Sequence, residues 1–121
     1  MKTIKVILVL AVMVFAACKK EGLGGKSSVK GYVKHHTVPI PNATVYIKFG
    51  VTEFPGSDIS LYNTSVQADA SGYYEFPDLQ KGNYYVYAIG YDNAISENVY
   101  GGTNVSLRRK EALEIDVFVL E

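Results

Sequence analysis

The chain has 121 residues, and its 12 Lys and Arg balance 12 Asp and Glu, so the formal net charge is zero. That length suits one domain after targeting residues are set aside, and the balanced charge offers no basic stripe for nucleic acid. A single cysteine excludes an intramolecular disulfide.

Lys2 and Lys5 open the chain as a short positive region, and an unbroken apolar run from Val6 to Ala17 follows. The run is shorter than the roughly 20 residues a membrane-spanning helix needs, and its layout is that of a secretory signal peptide. It ends in Phe15-Ala16-Ala17, directly before Cys18. This ending resembles a bacterial lipoprotein signal, with Phe where Leu is the commonest residue. The resemblance implies that residues 1–17 are removed. Cys18 would then begin the mature chain and carry a diacylglycerol, with palmitate-type acyl chains holding the protein on the membrane. An ordinary signal peptide with a leftover cysteine is the alternative. Two or three acyl chains anchor stably where one is marginal. The expected location is the bacterial cell envelope, lipid-anchored in the outer membrane.

Without Lys2 and Lys5 the mature chain keeps 10 basic against 12 acidic side chains, a net of −2. Lys19 to Ser28 is rich in Gly, Ser and Lys with a single Leu. Residues 18–27 therefore read as a flexible, lipidated tether, and residues 28–121 as the folded domain.

From Val29 onward short runs alternate with period two between clusters of Gly, Pro, Asn and Asp, and no apolar repeat of 3.6 occurs. Expected strands cover Val29–Lys34, Ala43–Phe49, Leu61–Ala68, Tyr73–Phe76, Tyr84–Tyr91, Val105–Leu107 and Leu113–Val119. The breakers Pro55-Gly56 mark a loop from Gly50 to Ser60, and Gly101-Gly102 lie in a second from Asp92 to Asn104. Arg108-Arg109-Lys110 reads as a solvated hairpin turn. Seven short strands in this span describe an all-β chain, a two-sheet β-sandwich.

Three segments carry a resemblance: Gly31-Tyr32-Val33, Pro39-Ile40-Pro41-Asn42-Ala43-Thr44-Val45, and Asp69-Ala70-Ser71-Gly72-Tyr73-Tyr74-Glu75-Phe76 running on through Leu79 and Gly82-Asn83-Tyr84-Tyr85-Val86. Together they resemble the carboxypeptidase regulatory-like domain, which implies a seven-stranded immunoglobulin-like or transthyretin-like sandwich. Asn42 stands where the family usually has Gly, and Asn also tolerates turn geometry. Gly31 is expected where backbone approaches closely, and Gly72 and Gly82 in turns that need positive φ. Asp69 is expected to bond its own turn amides. Tyr74, Phe76, Leu79, Tyr84 and Val86 are expected to point inward, with the aromatic rings filling much of the core. The family resemblance implies no peptidase activity.

No His-Glu-x-x-His or Gly-x-Ser-x-Gly pattern occurs. The chain is read as a non-enzyme with no cofactor and no metal. His35-His36 has no ligand-spaced companion and reads as a solvated turn. Asp69, Asp78 and Asp92 read as turn caps. The tyrosines are the candidate site. Tyr46, Tyr73, Tyr85 and Tyr87 fall on the outward parity, where aromatic rings stack on sugars or anchor protein interfaces. Cross-strand tyrosine pairs also stabilise sheets without any ligand. The two long loops are the second candidate surface. The expected function is a non-catalytic protein-interaction or adhesion-type module, docking an envelope protein. The alternative is a carbohydrate-binding sandwich that uses the outward tyrosines.

Overall fold

The computed structural model describes residues 20–121, so the expected signal peptide, residues 1–17, and the expected lipidation position Cys18 lie outside the described residues. Among the described residues nine strands form two sheets: β1 (Leu23–His35), β2 (Val38–Pro39), β3 (Thr44–Phe49), β4 (Thr64–Gln67), β5 (Tyr73–Leu79), β6 (Gly82–Asp92), β7 (Glu97–Leu107), β8 (Ala112–Glu114) and β9 (Val117–Phe118). β1 is central to the first sheet. It pairs antiparallel with β2 and β5, and parallel with β8 and β9. The second sheet runs β4-β3-β6-β7, antiparallel throughout.

The period-two pattern explains the packing. Val29 and Val33 of β1, with Tyr74 and Phe76 of β5, face Val45, Ile47, Tyr84 and Val86 of the second sheet, and all are buried. The expected inward set Tyr74, Phe76, Leu79, Tyr84 and Val86 is at most 2 % exposed. The turn chemistry also agrees with the sequence. The Asp69 carboxylate accepts from the amides of Ser71 at 2.8 Å and Tyr73 at 3.0 Å. Gly72 and Gly82 have φ of 80° and 136°, and Asn42 has φ of 60°.

Gly31 marks the tightest approach. A Cβ there would overlap the Ile115 carbonyl. Only a bare backbone lets the segment between β8 and β9 cross beside β1, where the Ile115 amide donates to the Lys30 carbonyl at 2.8 Å.

Four expectations need correction. The domain begins before Ser28. Leu23 to Ser27 belong to β1, and Leu23 and Ser27 both pair with Leu79. The Gly22 amide donates to the Tyr84 hydroxyl at 3.0 Å, and the Glu21 carboxylate accepts from the Asn83 amide at 3.1 Å. Residues 21–27 are therefore part of the sandwich and not a tether, because buried Tyr84 and the β5–β6 turn supply their partners. The expected loop Asp92–Asn104 is mostly β7, paired with β6 from Asp92↔Glu97 to Gly82↔Leu107. Its glycines mislead, since Gly101 and Gly102 lie inside the ladder. The last strand divides into β8 and β9 where it passes Gly31. With β2 added, nine strands replace the expected seven.

His35 is the fourth. It is 5 % exposed, not solvated. Its Nδ1 lies 2.8 Å from Asp92 Oδ2, and its Nε2 lies 2.5 Å from a Glu121 carboxylate oxygen. The second contact is an ion-pair approach whose angles fall outside hydrogen-bond geometry. The imidazole ties the ends of β1 and β6 to Glu121. The Asp92 hydrogen bond, and secondarily Glu121, raise its pKa. The hydrogen bond from His35, then the Ala94 amide, lower that of Asp92.

Candidate functional site

The outward residues of the second sheet build an aromatic surface. In the ladder Tyr46 of β3 sits opposite Tyr87 of β6, and Lys48 opposite Tyr85. Tyr87 in turn sits opposite Gly102 of β7. The missing side chain at Gly102 leaves room for the Tyr85 ring, which a Cβ at that position would strike.

The segment from Gly50 to Asn63 folds back over this face because its own polar groups close it. Asp58 accepts from the amide of Ser60 at 3.0 Å and from its hydroxyl at 2.8 Å, capping a short 3₁₀ turn at Ile59–Leu61. The Tyr62 hydroxyl donates to the Gly56 carbonyl at 2.9 Å, and Asn63 accepts from the Phe49 amide at 2.8 Å. Closure brings Phe54 over Tyr87 and Tyr85, with centroids 5.3 and 5.8 Å apart. Tyr62 stacks on Tyr87 and leans on Tyr46.

Tyr87 is therefore only 4 % exposed although it points away from the core. The exposed apolar surface passes to Phe54 at 52 %, and to Tyr100 of β7 at 45 %. Burial, then the neighbouring Tyr87 and Tyr85, push the Tyr62 hydroxyl up to about 12. Burial likewise raises Tyr85 and Tyr87. All three phenols stay neutral at ordinary pH and keep both donor and acceptor capacity. Among the described residues, the hydroxyls of Tyr46, Tyr85, Tyr87 and Tyr100 make no hydrogen bond to another group, unlike that of Tyr62.

The four tyrosines singled out from the sequence do not form one site. Tyr46, Tyr85 and Tyr87 come together. Tyr73 lies in β5 on the other sheet, edge-on to Tyr32 at 5.5 Å, with the Lys34 ammonium 5.7 Å from the Tyr32 ring. Parity puts all four outward, but a two-sheet sandwich has two outer faces, and parity does not say which. Phe54, Tyr62 and Tyr100 were missed. Tyr100 shares the parity signal once β7 is recognised, whereas Phe54 and Tyr62 act through a loop fold that periodicity does not encode.

The Asp92–His35–Glu121 cluster is no metal centre. Its carboxylates occupy opposite ring nitrogens, so the three groups cannot share one ion. Among the described residues no set of three His, Cys, Asp or Glu is placed to hold a metal.

One mixed and one antiparallel sheet packed over one apolar layer make this chain an all-β sandwich, the class expected from its alternating sequence. Its fold is similar to the crystal structure of a Pseudomonas aeruginosa protein described as a proposed carbohydrate-binding protein. The TM-score is 0.55 at 12 % identity, over 86 % of this chain and 93 % of that one. No protein-family model and no curated protein matches the sequence.

Proposed function

We propose that this protein is a non-catalytic, lipid-anchored module of the bacterial envelope that binds carbohydrate on the outer face of the β4-β3-β6-β7 sheet. The carrying observation is the aromatic shelf. Phe54 is held over the Tyr85–Tyr87 pair, with exposed Tyr100 beyond and free phenol hydroxyls between. Flat rings take the apolar faces of sugars while hydroxyls bond their polar edges. The structural neighbour described as a proposed carbohydrate binder supports the same reading. The three sequence motifs support a sandwich of the carboxypeptidase regulatory-like type, and the Phe15-Ala16-Ala17-Cys18 ending supports the lipid anchor.

Affinity electrophoresis through gels holding soluble polysaccharides tests the glycan reading. Native protein should be retarded by at least one of them, and Phe54→Ala and Tyr100→Ala should release it without loss of fold. Unretarded migration through a broad polysaccharide panel overturns the reading. Membrane fractionation of Cys18→Ser tests the anchor, which predicts release of the protein from the membrane.

A second reading is protein docking, favoured by the loop itself. Ile59 and Leu61 are 50 % and 42 % exposed on the same closed segment as Phe54, which makes three large exposed apolar side chains there. Such a cluster anchors protein partners. In that case Ile59→Ser and Leu61→Ser would abolish capture of an envelope protein and leave polysaccharide retardation unchanged.

A further inference from the structure

A second site lies away from the aromatic face, where β1 begins. Four cationic side chains from three separate elements line one cleft of about 420 Å³: Lys26 of β1, Lys81 of the β5–β6 turn, and Arg109 and Lys110 of the β7–β8 turn. These residues are exposed. No carboxylate lines the cleft. Of the acids next to it in sequence, Glu21 accepts from the Asn83 amide and Glu111 from the Arg108 amide, while Asp78 lines the adjoining groove, which shares Gly24 and Gly25 with the cleft.

The floor is backbone. Leu23 and Ser27 both pair with Leu79, so Gly24, Gly25 and Lys26 have no partner in the ladder and bulge from it. The bulge depends on glycine. Gly24 has φ of 96°, and a Cβ on Gly25 would overlap the Leu79 carbonyl. Ser27 pins the far wall, its hydroxyl donating to the Arg108 carbonyl at 2.5 Å. Main-chain bulges of this kind offer amide groups to anions. Like charges converging without an intervening acid repel one another, and a bound anion relieves that repulsion.

We propose that this cleft binds a phosphate group, held by Lys26, Lys81, Arg109 and Lys110 over the Gly24–Gly25 bulge. Arg and Lys match phosphate by charge-assisted hydrogen bonds, and Arg by two at once. Two sources supply that chemistry, a free phosphate and the headgroup of an anionic lipid. Under the lipid-anchored reading, only five residues separate Cys18 from Gly24, a span of at most about 20 Å of extended chain. Headgroup phosphates are then within reach of the cleft. Phosphate binding itself does not depend on the anchor.

The experiment is a residue-resolved amide NMR titration of the full chain in neutral detergent, at constant ionic strength. One arm adds inorganic phosphate and the other short-chain phosphatidylglycerol. Saturable shifts at Gly24, Gly25, Lys26 and Gln80 are expected in at least one arm. Lys81→Gln and Arg109→Gln should each weaken them about tenfold, the cost of one charge-assisted bond. Lys48→Gln, on the aromatic face, should leave them unchanged. Saturation with phosphate alone identifies a soluble ligand, and saturation only with the lipid identifies the headgroup. Both arms failing to saturate, shifts spread evenly over Lys30, Lys34 and Lys48, or cleft shifts unmoved by both variants would overturn the proposal. Because the phosphate arm needs no membrane, failure of the lipid anchor leaves a distinct result.

Discussion

Tyr62 lies stacked on Tyr87, their rings 12° from parallel and 5.5 Å apart. The pair joins the Gly50–Asn63 loop to the sheet, and it divides the aromatic surface into a buried support and an exposed rim. Substitutions in the two parts have different consequences.

Tyr87→Ala removes the support. Loss of a buried aromatic ring costs about 3 kcal/mol or more, and Phe54 and Tyr62 lose the surface they rest on. Urea denaturation should show a markedly lower midpoint. Phe54→Ala removes only a half-exposed ring and should stay within about 1 kcal/mol of the native protein. Tyr87 substitutions thus report on folding, and only the rim residues report cleanly on ligand.

The His35 cluster makes stability depend on pH. His35 has a raised pKa, so its contribution is fully present below the ordinary value of 6.5 and is lost as pH rises through the higher folded value. Asp92 is lowered from 3.8, so its contribution is present above that value and is lost as pH falls through the lower folded one. Thermal stability should therefore peak between these limits. It should decline on the alkaline side, and His35→Gln should flatten that decline. An unchanged alkaline limb in the variant would show that His35 is not the group responsible.

Tyr84→Phe keeps the ring and removes one oxygen. That oxygen donates to the Gln80 carbonyl at 2.6 Å and accepts from the Gly22 amide at 3.0 Å. A buried and a half-buried backbone group lose their partner, which costs about 1–3 kcal/mol. Hydrogen exchange should accelerate first at Gly22 and Gln80. A chain shortened to start at Ser28 should lose at least as much stability, whereas removal of a true tether would leave the urea midpoint where it was.

Gly31→Ala forces a methyl group against the Ile115 carbonyl. Overpacking of this kind costs about 1–3 kcal/mol. The loss should appear in calorimetry together with faster amide exchange at Ile115, whose hydrogen bond to Lys30 spans the contact.

The sandwich was legible because alternation is a local signal. Val45, Ile47, Tyr84 and Val86 announce an inward face within a few residues of chain, and Asp69 and Gly72 announce their turn. The same logic failed where partners are distant. Gly-rich residues 22–25 read as a tether because nothing local says that Tyr84 and Leu79 will bind them. Gly101 and Gly102 read as loop because a glycine inside a ladder looks like a glycine in a turn. His35 looked solvated because its two carboxylates lie 57 and 86 residues further along the chain. The candidate site was half legible: Tyr85 and Tyr87 follow from parity, while the segment that covers them does not. In the basic cleft, Arg109 and Lys110 were visible as a turn, and only the fold brings Lys26 and Lys81 to them.

The parallel seating of β8 and β9 against β1 has a kinetic consequence. The Tyr32 amide bonds the Asp116 carboxylate at 3.0 Å across 84 residues, so the central strand of the first sheet gains this neighbour only when the last segment arrives. Contacts this far apart in sequence make folding slow, because the intervening chain must first be organised. The first sheet should therefore be completed only when the β8–β9 segment reaches β1. The second sheet, built from neighbouring hairpins, can assemble earlier and offer β1 a surface on which to wait.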